Sequence, residues 1–262
     1  MPNQVTLISL YGDKDPELAA AINQWQQLVA QAVGAAFTPY DLRQVHATII
    51  GLERQRAPLY NGNFAKHRRR EIAMDLTGFL AQLRGCGHLP FTVQIGGFAN
   101  RDYPFTSRQT SPYERSFSVQ GNKVVVMGWP VKEALCRTSP ATSATQVFDN
   151  QSYPPTLELI RRVAQDFGIL HGYHRTATDV DNDLFFRIGL IDPSATSPAA
   201  TMALEVEARR FFRKQHPLVI ELRLEDIYIA AYEDDTLPVT STRIWSVADP
   251  RVNGSFVAGL YT

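Results

Sequence analysis

Short β-rich runs alternate with amphipathic helical runs along this chain, and the alternation occurs twice. Apolar residues at period two need one sheet face covered, and apolar residues at period 3.6 need a surface to lie on. The pattern therefore confines the chain to sheets backed by helices. "VTLISLY" (5–11) reads as a strand. In "DPELAAAINQWQQLVAQAV", Ile22, Trp25, Val29 and Val33 recur at helical spacing, with Asp15 and Pro16 as N-cap and first turn. "QVHATIIGL" reads as a strand, "KHRRREIAMDLTGFLAQLRG" as a helix closed by Gly85, and "FTVQIGGF" (91–98) as a strand. The second pass runs "KVVVMGW" (123–129), "PPTLELIRRVAQDFGI", "LFFRIGLI" (184–191) and "SPAATMALEVEARRFFRKQ", the last with Ser197 as N-cap and Pro198 in the first turn. It ends in "LVIELRLEDIYIAAY" (218–232), one long strand whose inward set changes phase at Glu225–Asp226, as a β-bulge would cause. The Ser/Thr/Pro-rich stretch 136–155 reads as a long surface loop.

The expected class is α+β. A single domain, 1–262, would hold two β-α-β-α-β lobes, about 1–115 and 116–262, with antiparallel-rich sheets flanking a central cleft. Such a cleft is the natural ligand site. Hydrophobic residues make up 44 % of the chain, ample for a core without staples. Lys plus Arg equals Asp plus Glu at 26 each, so no overall field draws the protein to nucleic acid or membrane, and any basic site is local. Cys86 and Cys136 share no metal-ligand spacing. No basic leader and no run of roughly 20 apolar residues occurs. The expectation is a cytoplasmic protein with no membrane partner, no cofactor and no metal.

Alternate strand residues share a face, so His46 and Thr48 project together from "QVHATIIGL". An imidazole beside a hydroxyl suits acid–base work on a phosphate ester. A half-buried histidine bonded to nearby backbone would leave the same short string. Set in the order of strands around it, the H-x-T tripeptide resembles the 2H phosphoesterase superfamily, which includes the LigT-like cyclic phosphodiesterases. "VTLISLY", "QVHATIIGLE", "PFTVQIGGF" and "VVVMGW" carry the resemblance. It implies a LigT-like bilobal fold with one H-x-T motif per lobe facing a cleft. It further implies His46 as acid/base, Thr48 as phosphate-binding hydroxyl, no metal, and a cyclic phosphate or phosphodiester of a nucleotide or RNA terminus as substrate.

The corresponding strand of the second half departs from that pattern. Aligning "VHATIIG" with "FRIGLID" sets Arg187 against His46 and Gly189 against Thr48. A guanidinium does not shuttle protons near neutral pH, but it clamps phosphate. Gly189 would leave room for a ligand group or a close backbone approach. Three readings follow: a divergent cyclic phosphodiesterase working from His46 alone, a catalytically inactive nucleotide- or RNA-binding module, or recruitment of a histidine from elsewhere. For recruitment, "GYHRTATDVDND" offers His174 and Thr176 as a second H-x-T in a loop. His171, after a helix end, suits an imidazolium at a helix C-terminus. Tyr40 and Arg43, ahead of the histidine strand, and Tyr11 are candidates to stack a base or touch a phosphate. "KHRRR" (66–70) reads as a solvated stretch leading a helix, Trp129 as packing, and Asp179, Asp181 and Asp183 as a weak calcium pattern. Glu53 reads as a strand-end carboxylate able to orient a basic group.

Overall fold

The computed structural model describes residues 3–55, 59–132 and 152–261. Its strands are β1 (Gln4–Ser9), β2 (Phe37–Pro39), β3 (Ala47–Gly51), β4 (Phe91–Ile95), β5 (Phe117–Gln120), β6 (Lys123–Val131), β7 (Leu184–Ile191), β8 (Leu218–Leu222), β9 (Ile227–Tyr232) and β10 (Arg243–Ser246). Its α-helices are α1 (Pro16–Val33), α2 (Gly62–Arg68), α3 (Leu76–Gly85), α4 (Pro112–Arg115), α5 (Thr156–Asp166), α6 (Pro198–Lys214) and α7 (Gly254–Ala258). The class is α+β. All the strands join one antiparallel sheet in the order β10-β9-β1-β3-β7-β6-β4-β8, with β2 beside β7 and β5 beside β6. Most of the joining stretch, up to residue 151, lies outside the described residues.

The strand order does not separate 1–115 from 116–262. β1 sits between β3 and β9, and β4 sits between β6 and β8. The cause is the run 218–232, which is two strands and not one bulged strand. β8 pairs with β4, a 3-10 turn follows at Leu224–Asp226, and β9 pairs with β1. The phase change at Glu225–Asp226 marks that turn, where the Asp226 carboxylate accepts from the Arg223 backbone N–H. In a flat sheet β8 and β9 would lie six strand spacings apart, about 29 Å. Leu222 and Ile227 are joined by a chain that reaches at most about 18 Å. The sheet therefore curls until its two ends approach each other.

Helices cover one face. α1 buries Leu18, Ile22, Trp25 and Val29, and α3 and α6 bury Phe79, Leu83 and Phe212, all in one core with Val5, Leu7, Ala47, Phe186, Ile220 and Ile229. Asp15 and Ser197 cap α1 and α6 through their side chains, as expected. The other face carries two smaller apolar clusters. One holds Ile8, Tyr11, Ala230, Tyr232 and Leu237, and the other is built around Phe98, Met127 and Trp129. Polar residues of β3 and β7 share that face with them.

The expected long helix 66–85 is two. Arg69 enters the left-handed region (φ 50°) and ends α2, and Asp75 caps α3 by accepting from Gly78 N–H. "KHRRR" thus closes a helix and does not lead one, and its charge favours the negative end of the helix dipole. Arg68 donates to the backbone carbonyls of Arg175 and Thr176.

β3 and β7 pair only at Ala47 and Phe186. Beyond that point the Arg161 guanidinium of α5 stands between the diverging chains. It donates to the carbonyls of Ile49 (2.9 Å) and Thr48 (3.3 Å) on one side. On the other it donates to the carbonyls of Asp181 (2.9 Å) and Asp183 (3.0 Å) and to the Asp181 carboxylate (2.7 Å). "DVDND" accordingly contributes to an ion network. Asp181 meets Arg161 and Arg108, while Asp183 meets Arg115, Ser107 and the Trp129 indole N–H.

Candidate functional site

His46, Thr48 and Arg187 line one cavity of about 290 Å³, together with Thr6, Glu53, Phe185, Tyr232, Asp235 and Leu237. The register explains the meeting. Ala47 faces Phe186 across the β3–β7 junction and both point into the core. One residue outward, His46 stands across from Arg187, and Thr48 across from Phe185, on the opposite face.

His46 sits just ahead of β3, almost wholly buried. Its Nδ1 lies 2.8 Å from the Gln44 carbonyl oxygen. A carbonyl only accepts, so Nδ1 carries the proton and Nε2 keeps its lone pair. Nε2 has no hydrogen-bond partner among the described residues. Burial lowers the imidazole pKa to about 4, against the Gln44 bond, and Arg187 and Lys14 lower it further. The ring is a neutral base at physiological pH. The Tyr11 ring packs 6.1 Å from it, with its hydroxyl bonded to the Leu237 carbonyl.

Arg187 donates to the Asp235 carbonyl at 2.9 Å, with the Asp235 carboxylate 3.9 Å away. Lys123 bonds that carboxylate at 2.7 Å and, with Arg187, holds it below the usual carboxylate range despite partial burial. Asp235 stays ionised and steadies the guanidinium.

Glu53 is the wall residue that alternation misplaces. Counting by twos from His46 and Thr48 sends residue 53 to the core face. Between β1 and β3 the register slips: Ile8 faces Thr48, but Leu7 faces Ile50, leaving Ile49 as the extra residue of a bulge. Ile49 and Ile50 both enter the core, and Gly51 and Glu53 turn to the cavity side. The carboxylate folds over Gly51 into the space a Cβ there would fill, and Tyr232 donates to its Oε1 at 2.9 Å. Burial raises its pKa, opposed by bonds from its own backbone and Tyr232 and by the Arg187 charge.

The other expected residues lie elsewhere. His174 is sealed, with Nε2 2.8 Å from Glu158 Oε2 and Nδ1 3.2 Å from Gln165 Nε2, and it does not line the His46 cavity. Thr176 is exposed, its N–H bonded to Asp179. Neither supplies the missing partner, because the loop folds onto α5. Arg43 is exposed and pairs with Asp41 at 3.6 Å. Tyr40 is buried in the main core, and burial pushes its phenol up to about 12. Trp129 is packing, fully buried. His171 is no helix-end imidazolium. Burial, then Arg161, lowers it to about 4.

Gly189 does not open the cavity. β2 runs against it, with Pro39 opposite, and a Cβ would come within 2.6 Å of the Thr38 carbonyl oxygen and into the Phe37 ring. Gly189→Ala is expected to lower stability by about 1–3 kcal/mol, read as a shift in urea midpoint, without changing ligand binding at the cavity.

No family model matches the chain, and no curated protein matches it. Among solved structures it is similar to a conserved protein of unknown function, ATU0111, from Agrobacterium tumefaciens strain C58. Identity is 12 % over 85 % of this chain and 82 % of that one, with a TM-score of 0.38. No helix among the described residues is long and apolar enough to cross a membrane.

Proposed function

We propose that the His46 cavity takes a phosphodiester or cyclic phosphate of a nucleotide or RNA end and hydrolyses it as a divergent member of the 2H phosphoesterases. The observation that carries this reading is the convergence of His46, Thr48 and Arg187 on one cavity wall. Each has a distinct use there. His46 Nε2 accepts a proton from the attacking water. The Thr48 hydroxyl donates to a non-bridging phosphate oxygen. Arg187 offsets the charge that gathers on phosphorus oxygens in the transition state, the kind of fixed electrostatic help that counts most in a closed site.

The test is turnover of 2′,3′-cyclic nucleotides by purified protein. His46→Asn is expected to lower kcat roughly 10²–10⁴-fold. Arg187→Ala is expected to weaken binding of 2′- or 3′-nucleotides as well. Undiminished turnover in His46→Asn would remove the assignment. Binding of nucleotides without turnover, lost in Arg187→Ala, would leave a binding module. That second reading is favoured by one observation: an arginine stands where the resemblance calls for a second histidine.

A further inference from the structure

We infer that Glu53 is the second proton-transfer group of this cavity, the general acid that works opposite His46. The inference rests on the phosphoesterase reading and extends it.

The site as described has a base and no acid. His46 is neutral, so it can take a proton from water but has none to give from Nε2. Arg187 cannot release one near neutral pH. The cavity wall holds two carboxyl groups, and their surroundings set them apart. Asp235 is bonded to Lys123 and flanked by Arg187, which keeps it an anion. No cation lies within ion-pairing distance of Glu53 among the described residues, and the more distant Arg187 charge opposes its protonation less than burial favours it. Its carboxyl accepts from the uncharged Tyr232 hydroxyl, and burial favours its protonated form. A phosphate anion entering the cavity would favour that form further.

The placement has structural support of its own. The bulge at Ile49 turns residue 53 to the side of His46 and Thr48. Gly51 leaves room for the carboxyl to fold back over the strand. A carboxylate at a strand end needs neither device to remain in water.

In the hydrolysis of a 2′,3′-cyclic phosphate, the water oxygen forms the new P–O bond as its proton passes to His46 Nε2. The P–O bond to one ribose oxygen breaks, and that oxygen takes the proton of the Glu53 carboxyl. The cycle ends with protonated His46 and Glu53 carboxylate, which exchange one proton through solvent. No oxidant, reductant or further reactant is needed.

The experiment compares wild type with Glu53→Gln on two substrates over a pH range. One is 2′,3′-cyclic AMP, whose leaving alkoxide needs a proton. The other is bis(4-nitrophenyl) phosphate, whose phenolate does not. Circular dichroism confirms that the variant is folded. Expected is a roughly 10²–10⁴-fold fall in kcat on the cyclic nucleotide, with KM little changed and the descending alkaline limb abolished. On the nitrophenyl ester the fall should be at least tenfold smaller. Tyr232→Phe, which removes a donor that steadies the Glu53 carboxylate, should move the alkaline limb to higher pH. Equal losses on both substrates, or an alkaline limb unmoved by either variant, would overturn the role of Glu53. If Glu53→Gln keeps full turnover of the cyclic nucleotide while His46→Asn loses it, Glu53 is not the acid and the phosphoesterase reading stands. Wild-type inactivity on both substrates would remove the reading and the role together.

Discussion

Arg161→Ala shifts the urea midpoint of unfolding by the equivalent of about 3–5 kcal/mol, the cost of breaking a buried, hydrogen-bonded ion pair by deleting one partner. Arg161 is fully buried, and its loss leaves the Asp181 carboxylate with Arg108 as its remaining guanidinium and takes a donor from four carbonyls. These carbonyls belong to β3 and to the segment leading into β7, chains that do not pair with each other there, so the guanidinium takes the place of the missing ladder. Arg161→Lys recovers little, because one ammonium cannot spread over both chains as a planar fork does. Arg251, exposed and paired with Asp249, serves as the control and shows no measurable shift on replacement. A small effect at Arg161 would mean that β3 and β7 hold together without it.

Acidification from pH 7 to 4 removes about 6 kcal/mol of folding stability through two histidines. His46 and His171 are buried, and both titrate near 4 against 6.5 when free. Between those values the unfolded chain binds protons that the folded chain refuses, so stability falls as pH falls through the window. Each ring contributes about 3 kcal/mol, and its effect ends below about pH 4. Both nitrogens of His171 lack a hydrogen bond in the described structure, and its Nε2 lies 3.8 Å from the Asp181 carboxylate. Burial raises the Asp181 carboxyl, but Arg161 and His171 outweigh it and hold it ionised. That pair carries the loss on below the usual carboxylate range. Urea unfolding at steps of pH measures the slope, which His46→Asn and His171→Leu should each flatten. A curve level between pH 7 and 4 would mean that neither ring is held neutral.

Local signals were legible where one period governs. Asp15 and Ser197 announced α1 and α6, and β7 runs over the same eight residues that read as a strand. Alternation set His46 beside Thr48, and the alignment of the two halves set Arg187 against His46; the three line one cavity. Three of the misses share a physical origin: a short local break that changes the phase. The bulge at Ile49 hides Glu53, because apolar residues stand at both 49 and 50 and parity no longer tells the faces apart. Arg69 in the left-handed region splits a helix whose two parts keep helical composition. The turn at Leu224–Asp226 looks like a bulge because both flanking runs are equally β-rich, and only the partners show that they belong to opposite ends of the sheet. The network of Asp181, Asp183 and Arg161 was silent for another reason. Its charges are distant in sequence and balance only in space.

The pairing of Gln4 with Tyr232 sets a timetable. A chain made at about 5–20 residues per second finishes β1 roughly 10–50 s before β9 exists. β3 arrives early and covers one side of β1. The other side, in the apolar segment "QVTLIS", presents open backbone donors and acceptors throughout that interval. Slower synthesis therefore lengthens the time during which that edge is open. β9, next to last in the chain, is the strand that closes that edge.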